Sequence, residues 1–290
     1  MLMKISKCKI CDSKNRSIIW FDKIRVGKKF SKNKVKIFHC ENCKVRYKES
    51  FDKRLNNNKI FRKIYDGANT ISKYKDFNEP REINKIEFIE RFINLEKKSI
   101  LETNCGAASI LDYLKKKRCV TAGQDHIIYR NHIMKNHIYY EDIAKIKDKK
   151  YDIILSLAEI EHTVDVISFV NSLKKILAKN GKLVFRIPNY ENLYYYMLGY
   201  NFQKYDFRSS HNFYFCEKSL DYLFKKTNMK IISKQGFNEY DIDHFFCYLK
   251  TKKRVKTYKK IFNKRLNELF LENINNFKLS TSLIYILSKN

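Results

Sequence analysis

Ser99-Ile-Leu-Glu-Thr-Asn-Cys-Gly-Ala-Ala-Ser-Ile-Leu111 decides how the rest of this chain is read. A short apolar run ends in Glu102, passes through small residues around Gly106, and enters an apolar helical pattern. That order is expected of a first parallel strand, a tight turn that cradles a phosphate or nucleoside, and a helix. On this reading the residues that follow form a cofactor domain and those before it an added module. The turn carries one glycine where such turns usually carry two or three, so the reading needs support from elsewhere in the chain.

Strand and helix patterns alternate beyond residue 99. Cys119 to Gln124, Ile138 to Tyr140, Tyr151 to Leu157 and Lys182 to Ile187 read as strands. Helices are expected from Ala107, from Ile127, and from Val164 to Ala178, the last closed by Asn180-Gly181. Such alternation indicates a doubly wound parallel sheet with crossover helices. Met229 to Ser233 and Ser282 to Ser288 read as two further strands. A basic amphipathic segment lies between them, around Val255, Tyr258, Phe262, Leu266 and Leu269. Upstream, Asn78-Glu-Pro80 is expected to open a helix with apolar positions Ile83, Ile86, Ile89, Phe92 and Ile93.

Open α/β sheets bind ligands outside the carboxyl ends of their strands. Glu102 ends the first strand, and Asp125 ends the second at roughly the 20-residue offset where an acid takes ribose hydroxyls. Asp142 follows the third strand and Glu161-His162 the fourth. One acid at a strand end is ordinarily just solvated; a succession of them points to a site.

The first 50 residues carry different chemistry. Cys8-Lys-Ile-Cys11 and Cys40-Glu-Asn-Cys43 are two C-x2-C knuckles separated by a stretch of hairpin length. Ser17 to Phe21 and Lys34 to Phe38 read as the hairpin's strands. This is the pattern of a four-cysteine zinc ribbon, structural because four protein ligands leave the ion no open position.

Hydrophobic residues at 44% and aromatics at 14% argue for a folded globule and against disorder. No apolar run approaches the roughly 20 residues needed to cross a bilayer. The start lacks a signal peptide's apolar core, so the expected compartment is the cytoplasm, with reduced cysteines. The net charge of +29 suits an anionic partner. It is equally what an AT-rich genome writes, with Lys, Asn and Ile abundant and only 7 Gly and 2 Pro.

With these residues in hand, the chain resembles the class I S-adenosylmethionine-dependent methyltransferases over roughly residues 80 to 290. Ile100-Leu-Glu-Thr-Asn-Cys-Gly106 is similar to their first motif and Ala122-Gly-Gln-Asp125 to their second. Tyr151-Asp-Ile-Ile-Leu-Ser-Leu-Ala-Glu-Ile-Glu-His162 resembles the fourth-strand segment. Leu177-Ala-Lys-Asn-Gly-Lys-Leu-Val-Phe-Arg-Ile-Pro-Asn189 resembles the fifth, and His211-Asn-Phe-Tyr-Phe215 the late His-x-x-x-Phe segment. A ribbon such as 1–50 often precedes methyltransferases of surface-glycan and deoxysugar pathways.

The resemblance implies a Rossmann-like seven-stranded α/β sheet. It divides the chain into a zinc ribbon (1–50), a helical connector (51–98) and a methyltransferase domain (99–290) with a basic insertion about 250–275. It implies that Glu102, Asn104, Gly106, Asp125, Asp142 and Glu161 bind S-adenosyl-L-methionine, with Asp125 on the ribose hydroxyls and Asp142 on the adenine amine. Asn104 and Ala108 stand where the family usually has glycines. Asn tolerates a positive φ better than most residues, and Ala108 adds only a methyl.

Methyl transfer mainly needs in-line positioning and a proton acceptor of near-neutral pKa, which favours histidine. His211 is the first candidate and His162 the second, the latter also placed to cap the next helix as a structural residue. In related sugar methyltransferases Glu precedes the late histidine; here Ser210 does. Tyrosines and phenylalanines crowd the stretch between Pro188 and Phe215, where this fold closes over its acceptor; their rings would stack on a sugar or a base, or equally form an aromatic helix buried on the sheet. The expected acceptor is a sugar or nucleotide-sugar, with the basic patches meeting diphosphates or an anionic membrane face. An RNA methyltransferase is the alternative, against which the fourth-strand segment lacks the Pro-Pro-aromatic signature of base-amine methylation. A degenerate, non-enzymatic binding module is the third reading.

Overall fold

The computed structural model describes residues 2–4, 6–27, 29–52, 71–125, 130–252 and 258–290. Seven strands form the central sheet: β1 (Ser99–Thr103), β2 (Val120–Gln124), β3 (Ile138–Tyr140), β4 (Tyr151–Ser156), β5 (Leu177–Pro188), β6 (Met229–Phe237) and β7 (Ser282–Lys289). Their spatial order is β3-β2-β1-β4-β5-β7-β6. All neighbours are parallel except β7, which runs antiparallel to both β5 and β6. The order reverses at β1 and β4, so their carboxyl ends form the crevice where such sheets bind ligands.

The apolar runs are continuous because both faces of the sheet are covered. Ile100 packs into one core cluster and Leu101 into the other; Ile153 and Ile154, Val184 and Phe185, and Ile284 and Tyr285 divide the same way. Successive side chains of a strand point to opposite faces. The cluster containing Ile100, Ile153 and Val184 also takes Ile86 and Ile89 of helix α1 (Ile71–Glu90). Helix α2 (Ser109–Lys116) contributes Ile110 and Leu114 to it. The opposite cluster takes Val166, Val170 and Leu173 of a helix spanning Val166–Ile176, which Asp165 caps by accepting from the Ser168 N–H at 3.0 Å.

Two local expectations are corrected. The first helix does not open at Asn78-Glu-Pro80: α1 begins at Ile71 and holds Pro80 inside it. Asn180-Gly181 does not close the helix after β4 either. That helix ends at Ile176, and β5 starts at once with Leu177 paired to Tyr151. The register then jumps, Lys182 pairing with Ile153, so the Asn-Gly pair sits in a bulge within the strand. Local turn propensity loses here to the gain of pairing Leu177 and burying it. The connector residues 53–70 lie outside the described residues, as do 253–257 of the basic insertion. The rest of that insertion forms helices over Ile242–Thr251 and Lys264–Asn276. No described helix is long and apolar enough to cross a membrane.

The N-terminal strands Arg16–Asp22, Val35–Cys40 and Arg46–Lys48 form an antiparallel sheet whose fourth member is Phe213–Tyr214 from the other end of the chain. Phe213 pairs with Tyr47 and Tyr214 with Arg46. The ribbon is thereby woven into the larger domain.

Candidate active site

The turn after β1 places Asn104, Gly106 and Ala108 at φ of 54°, 54° and 62°, all in the left-handed region. Only glycine enters that region freely; a residue with a Cβ pays steric strain, least for Asn. Backbone hydrogen bonds hold the turn. The Cys105 N–H donates to the Gln124 carbonyl at 3.1 Å, and the Gly106 N–H donates to Asp125 Oδ2 at 2.6 Å. Gly123 of β2 is what lets the turn lie this close: a Cβ there would meet Cys105 Sγ at 2.6 Å and Leu111 Cδ1 at 2.9 Å.

Beside this turn lies a cavity of about 110 Å³ lined by Glu82, Lys85, Glu102, Asn104, Leu157 and Ala158, among others. Glu102 is only 5% exposed, its Oε2 has no partner, and burial drives its carboxyl well above the usual range, with Glu82 adding to the effect. Glu159, which sequence reasoning passed over, is pushed up to about 7 by burial and by the Asp125, Glu161 and Asp142 carboxylates. Its Oε2 is likewise buried without a partner. A run of mutually repelling acids with orphaned oxygens calls for a cation. S-adenosylmethionine, with its ammonium and sulfonium, fits that donor set: Glu102 faces the turn, Asp125 ends β2, and Asp142 stands exposed after β3. Asp142 also caps a short 3₁₀ turn, accepting from the Ala144 N–H at 2.9 Å.

A second cavity, of about 340 Å³, shares Ala158 with the first. Glu161, His162 and His211 form part of its wall. Glu161, grouped by resemblance with the cofactor residues, thus lines this larger cavity and not the one at the turn. The His162 and His211 rings stand edge to face, centroids 4.9 Å apart. His162 Nδ1 lies 2.8 Å from the Ser210 carbonyl oxygen, which can only accept, so Nδ1 carries the proton. In the neutral ring Nε2 then holds the lone pair. Burial keeps His211 well below the usual imidazole range, and Arg208 and the His162 ring push the same way. Asn212, another residue missed from the sequence, locks the two segments together. Its backbone N–H donates to the Glu161 carbonyl at 2.8 Å and its Nδ2 to the His162 carbonyl at 3.0 Å.

The aromatic stretch after β5 closes this cavity, with Tyr194, Phe202 and Tyr205 in its wall. Tyr240, Tyr248 and His244 complete the aromatic side. His244 is 3% exposed; Tyr194 Oη lies 2.9 Å from its Nδ1, and its Nε2 has no partner. Nothing in the local sequence marks His244, because its distance along the chain from Tyr194 is closed only by tertiary packing. The ribbon contributes Arg25.

The four knuckle thiols Cys8, Cys11, Cys40 and Cys43 converge, with Sγ–Sγ separations of 3.6 Å (Cys8–Cys43) and 3.4 Å (Cys11–Cys40). Thiolates bound about 2.3 Å from one tetrahedral ion lie roughly 3.8 Å apart, so the cluster fits zinc, whereas a disulfide would bring two sulfurs to about 2 Å.

A methyltransferase-domain family matches residues 77–234, over half of the chain. A ubiquinone biosynthesis O-methyltransferase from Hydrogenovibrio crunogenus is 28% identical over 117 residues, 36% of this chain and 48% of that protein. One of the same description from Histophilus somni is 23% identical over 133 residues, 39% of this chain and 56% of its own. The chain spans about half the length of the curated relatives it matches. Among solved structures, a Haloferax volcanii methyltransferase complex with the activator Trm112 aligns at TM-score 0.53 and 12% identity, covering 74% of this chain and 93% of that one. A Thermotoga maritima S-adenosylmethionine-dependent methyltransferase aligns at 0.50 and 13%, covering 76% and 96%. At these identities the likeness is one of fold.

Proposed function

The chain belongs to the methyltransferase-domain family, and from that premise we propose that it transfers a methyl group from S-adenosylmethionine to an oxygen of a small acceptor. The observation that carries this is Ala158, where the two cavities meet. A donor held at the turn would present its methyl across Ala158 to an acceptor in the larger cavity.

Glu102 and the turn backbone would hold the methionine end of the donor and Asp125 its ribose, while Asp142 faces the adenine. The sulfonium makes the methyl electrophilic; this chain's residues have only to align the acceptor, exclude water and take a proton. His211, or His162 beside it, takes that proton, and the burial that keeps His211 well below the usual imidazole range makes it a weaker base than an exposed histidine. Both rings line the acceptor cavity, and the Ser210 carbonyl leaves His162 with its lone pair on Nε2.

Our acceptor is a sugar or nucleotide-sugar. The rings of Tyr194, Phe202, Tyr205 and Tyr240 offer stacking faces for a sugar's C–H surface, and Arg25 and Arg208 offer charge to a phosphate. A phenolic acceptor is the second reading, favoured by the same aromatic wall and by what the two curated relatives are named for.

Calorimetry with S-adenosylmethionine on zinc-replete protein tests the first step, and a one-to-one complex is expected; no heat of binding would sink the proposal. Radiolabelled methyl transfer to pooled nucleotide-sugars against pooled catechols then separates the two acceptor classes. His211→Ala should cut turnover by about 10²-fold or more while leaving donor binding intact; unchanged turnover removes His211 from the proton path.

A further inference from the structure

We propose that Glu161, His162 and His211 form a divalent-cation site in the wall of the acceptor cavity, separate in place and chemistry from the four-cysteine ribbon. The proposal deepens the function given above and rests on it for the acceptor. One ligand atom from each of the three residues lies within 4.8 Å of the others. An ion held at about 2.0–2.2 Å from each would draw them in to roughly 3–3.5 Å of one another.

Three observations point to a ligand here. First, Glu161 is 2% exposed and its Oε2 is buried with no hydrogen-bond partner, a costly state for a carboxylate oxygen. Second, the Nδ1–H of His162 donates to the Ser210 carbonyl at 2.8 Å, which orients the ring and puts the lone pair on Nε2, 3.9 Å from Glu161 Oε1. Metal-ligating histidines are typically held in this way by their other nitrogen. Third, Asn212 binds the main chain of both Glu161 and His162, so the ligands from the two segments are held in register.

Two imidazoles and one carboxylate suit manganese, iron, cobalt or zinc and leave coordination positions open. The cations Arg208, Lys48 and Arg25 face His211 and count against a tightly held ion. Arg208 is paired with Asp206 at 3.3 Å, and Lys48 Nζ donates to the Ser209 carbonyl at 2.6 Å. The ion is therefore held best together with an acceptor that completes its shell through two neighbouring oxygens, at least one of them ionisable. Vicinal diols, catechols and hydroxy acids have that chemistry. The ion and the proton share one set of atoms: with the ion bound, the rings would be ligands and the acidified hydroxyl would give its proton to solvent water, and without it the rings would take the proton.

Cobalt(II) titration of zinc-replete, full-length protein tests the site, with donor calorimetry on the same sample. One further equivalent per chain is expected, with weak visible bands and without the thiolate charge-transfer absorption that marks cobalt in a four-cysteine site. It should be lost in Glu161→Gln and in His211→Phe while donor binding persists. No second equivalent in wild-type protein that binds the donor overturns the ion and leaves the methyltransferase reading intact. A second equivalent that shows thiolate absorption, or that survives Glu161→Gln, overturns it as well. Failure of donor binding would instead sink the function, whichever way the titration comes out.

Discussion

Single side chains decide how well the turn after β1 is made. Ala108 sits at a φ of 62° as the residue before α2, and its side chain caps nothing. A left-handed conformation costs a residue with a Cβ roughly 1–2 kcal/mol. Ala108→Gly should therefore raise the unfolding free energy by about 0.5–1 kcal/mol after the added chain entropy of glycine, read as a higher midpoint in urea. An unchanged or lower midpoint would show that the strain is absorbed elsewhere. Gly123 has the opposite character. A methyl placed 2.6 Å from Cys105 Sγ and 2.9 Å from Leu111 Cδ1 must displace those side chains or the turn that carries Cys105. Gly123→Ala should weaken donor binding at least tenfold by calorimetry, with the ribbon's zinc content unchanged. The turn was legible from residue types alone because it is local: an acid, small residues and a helix start within a dozen positions. Its strain was not, since φ at position 108 depends on how the turn is anchored to β2.

At the scale of elements, α2 is tied to the end of the helix Arg130–Asn136 through His137. Asp112 Oδ1 accepts from His137 Nε2 at 2.9 Å, and Nδ1 lies 2.7 Å from the Thr121 hydroxyl. Burial holds this imidazole below its usual value of 6.5, against the raising effect of Asp112. The native ring thus stays neutral where the unfolded one takes a proton. As pH falls through 6.5 the unfolded state binds more protons and stability drops, levelling off only below the native value. Urea midpoints measured from pH 7.5 to 5 should fall more steeply for the wild type than for His137→Gln; parallel curves would remove His137 as the cause. Helix and strand order was read correctly along most of the chain, because the β-sheet is covered on both faces and its strands are plainly apolar. The misreadings came where tertiary pairing overrode a local signal: Asn180-Gly181 was absorbed into β5, and Pro80 sits inside α1.

For the whole molecule, the ribbon is part of the wall of the larger cavity, to which it gives Arg25. Phe213–Tyr214, two residues beyond His211, is a strand of the ribbon's own sheet. Arg25 donates its N–H to the Phe207 carbonyl at 2.9 Å and accepts from the Ser209 N–H at 2.8 Å. The Arg46 guanidinium lies 3.7 Å over the Tyr190 ring. Cys8→Ser, or zinc removal by a chelator, should therefore abolish methyl transfer more than tenfold while the donor still binds within about threefold of wild type. Equal loss of both would mean that zinc supports the fold as a whole. Hydrogen exchange should rise first over residues 207–216 in the zinc-free protein.

The chain's own order of residues determined the seven-stranded fold, the turn after β1 and the zinc knuckles, because each is written in short-range spacing: apolar runs, an acid at a strand end, paired cysteines. His211 and His162 were legible as candidates, but only the tertiary structure decided what lines the larger cavity with them. Glu161, His211, His244 and Arg25 lie far apart in sequence and come from four segments, and their meeting depends on long-range packing that leaves no periodic trace. Burial, which leaves Glu102 and Glu161 with orphaned oxygens, is likewise a property of the folded surroundings and not of the residues themselves.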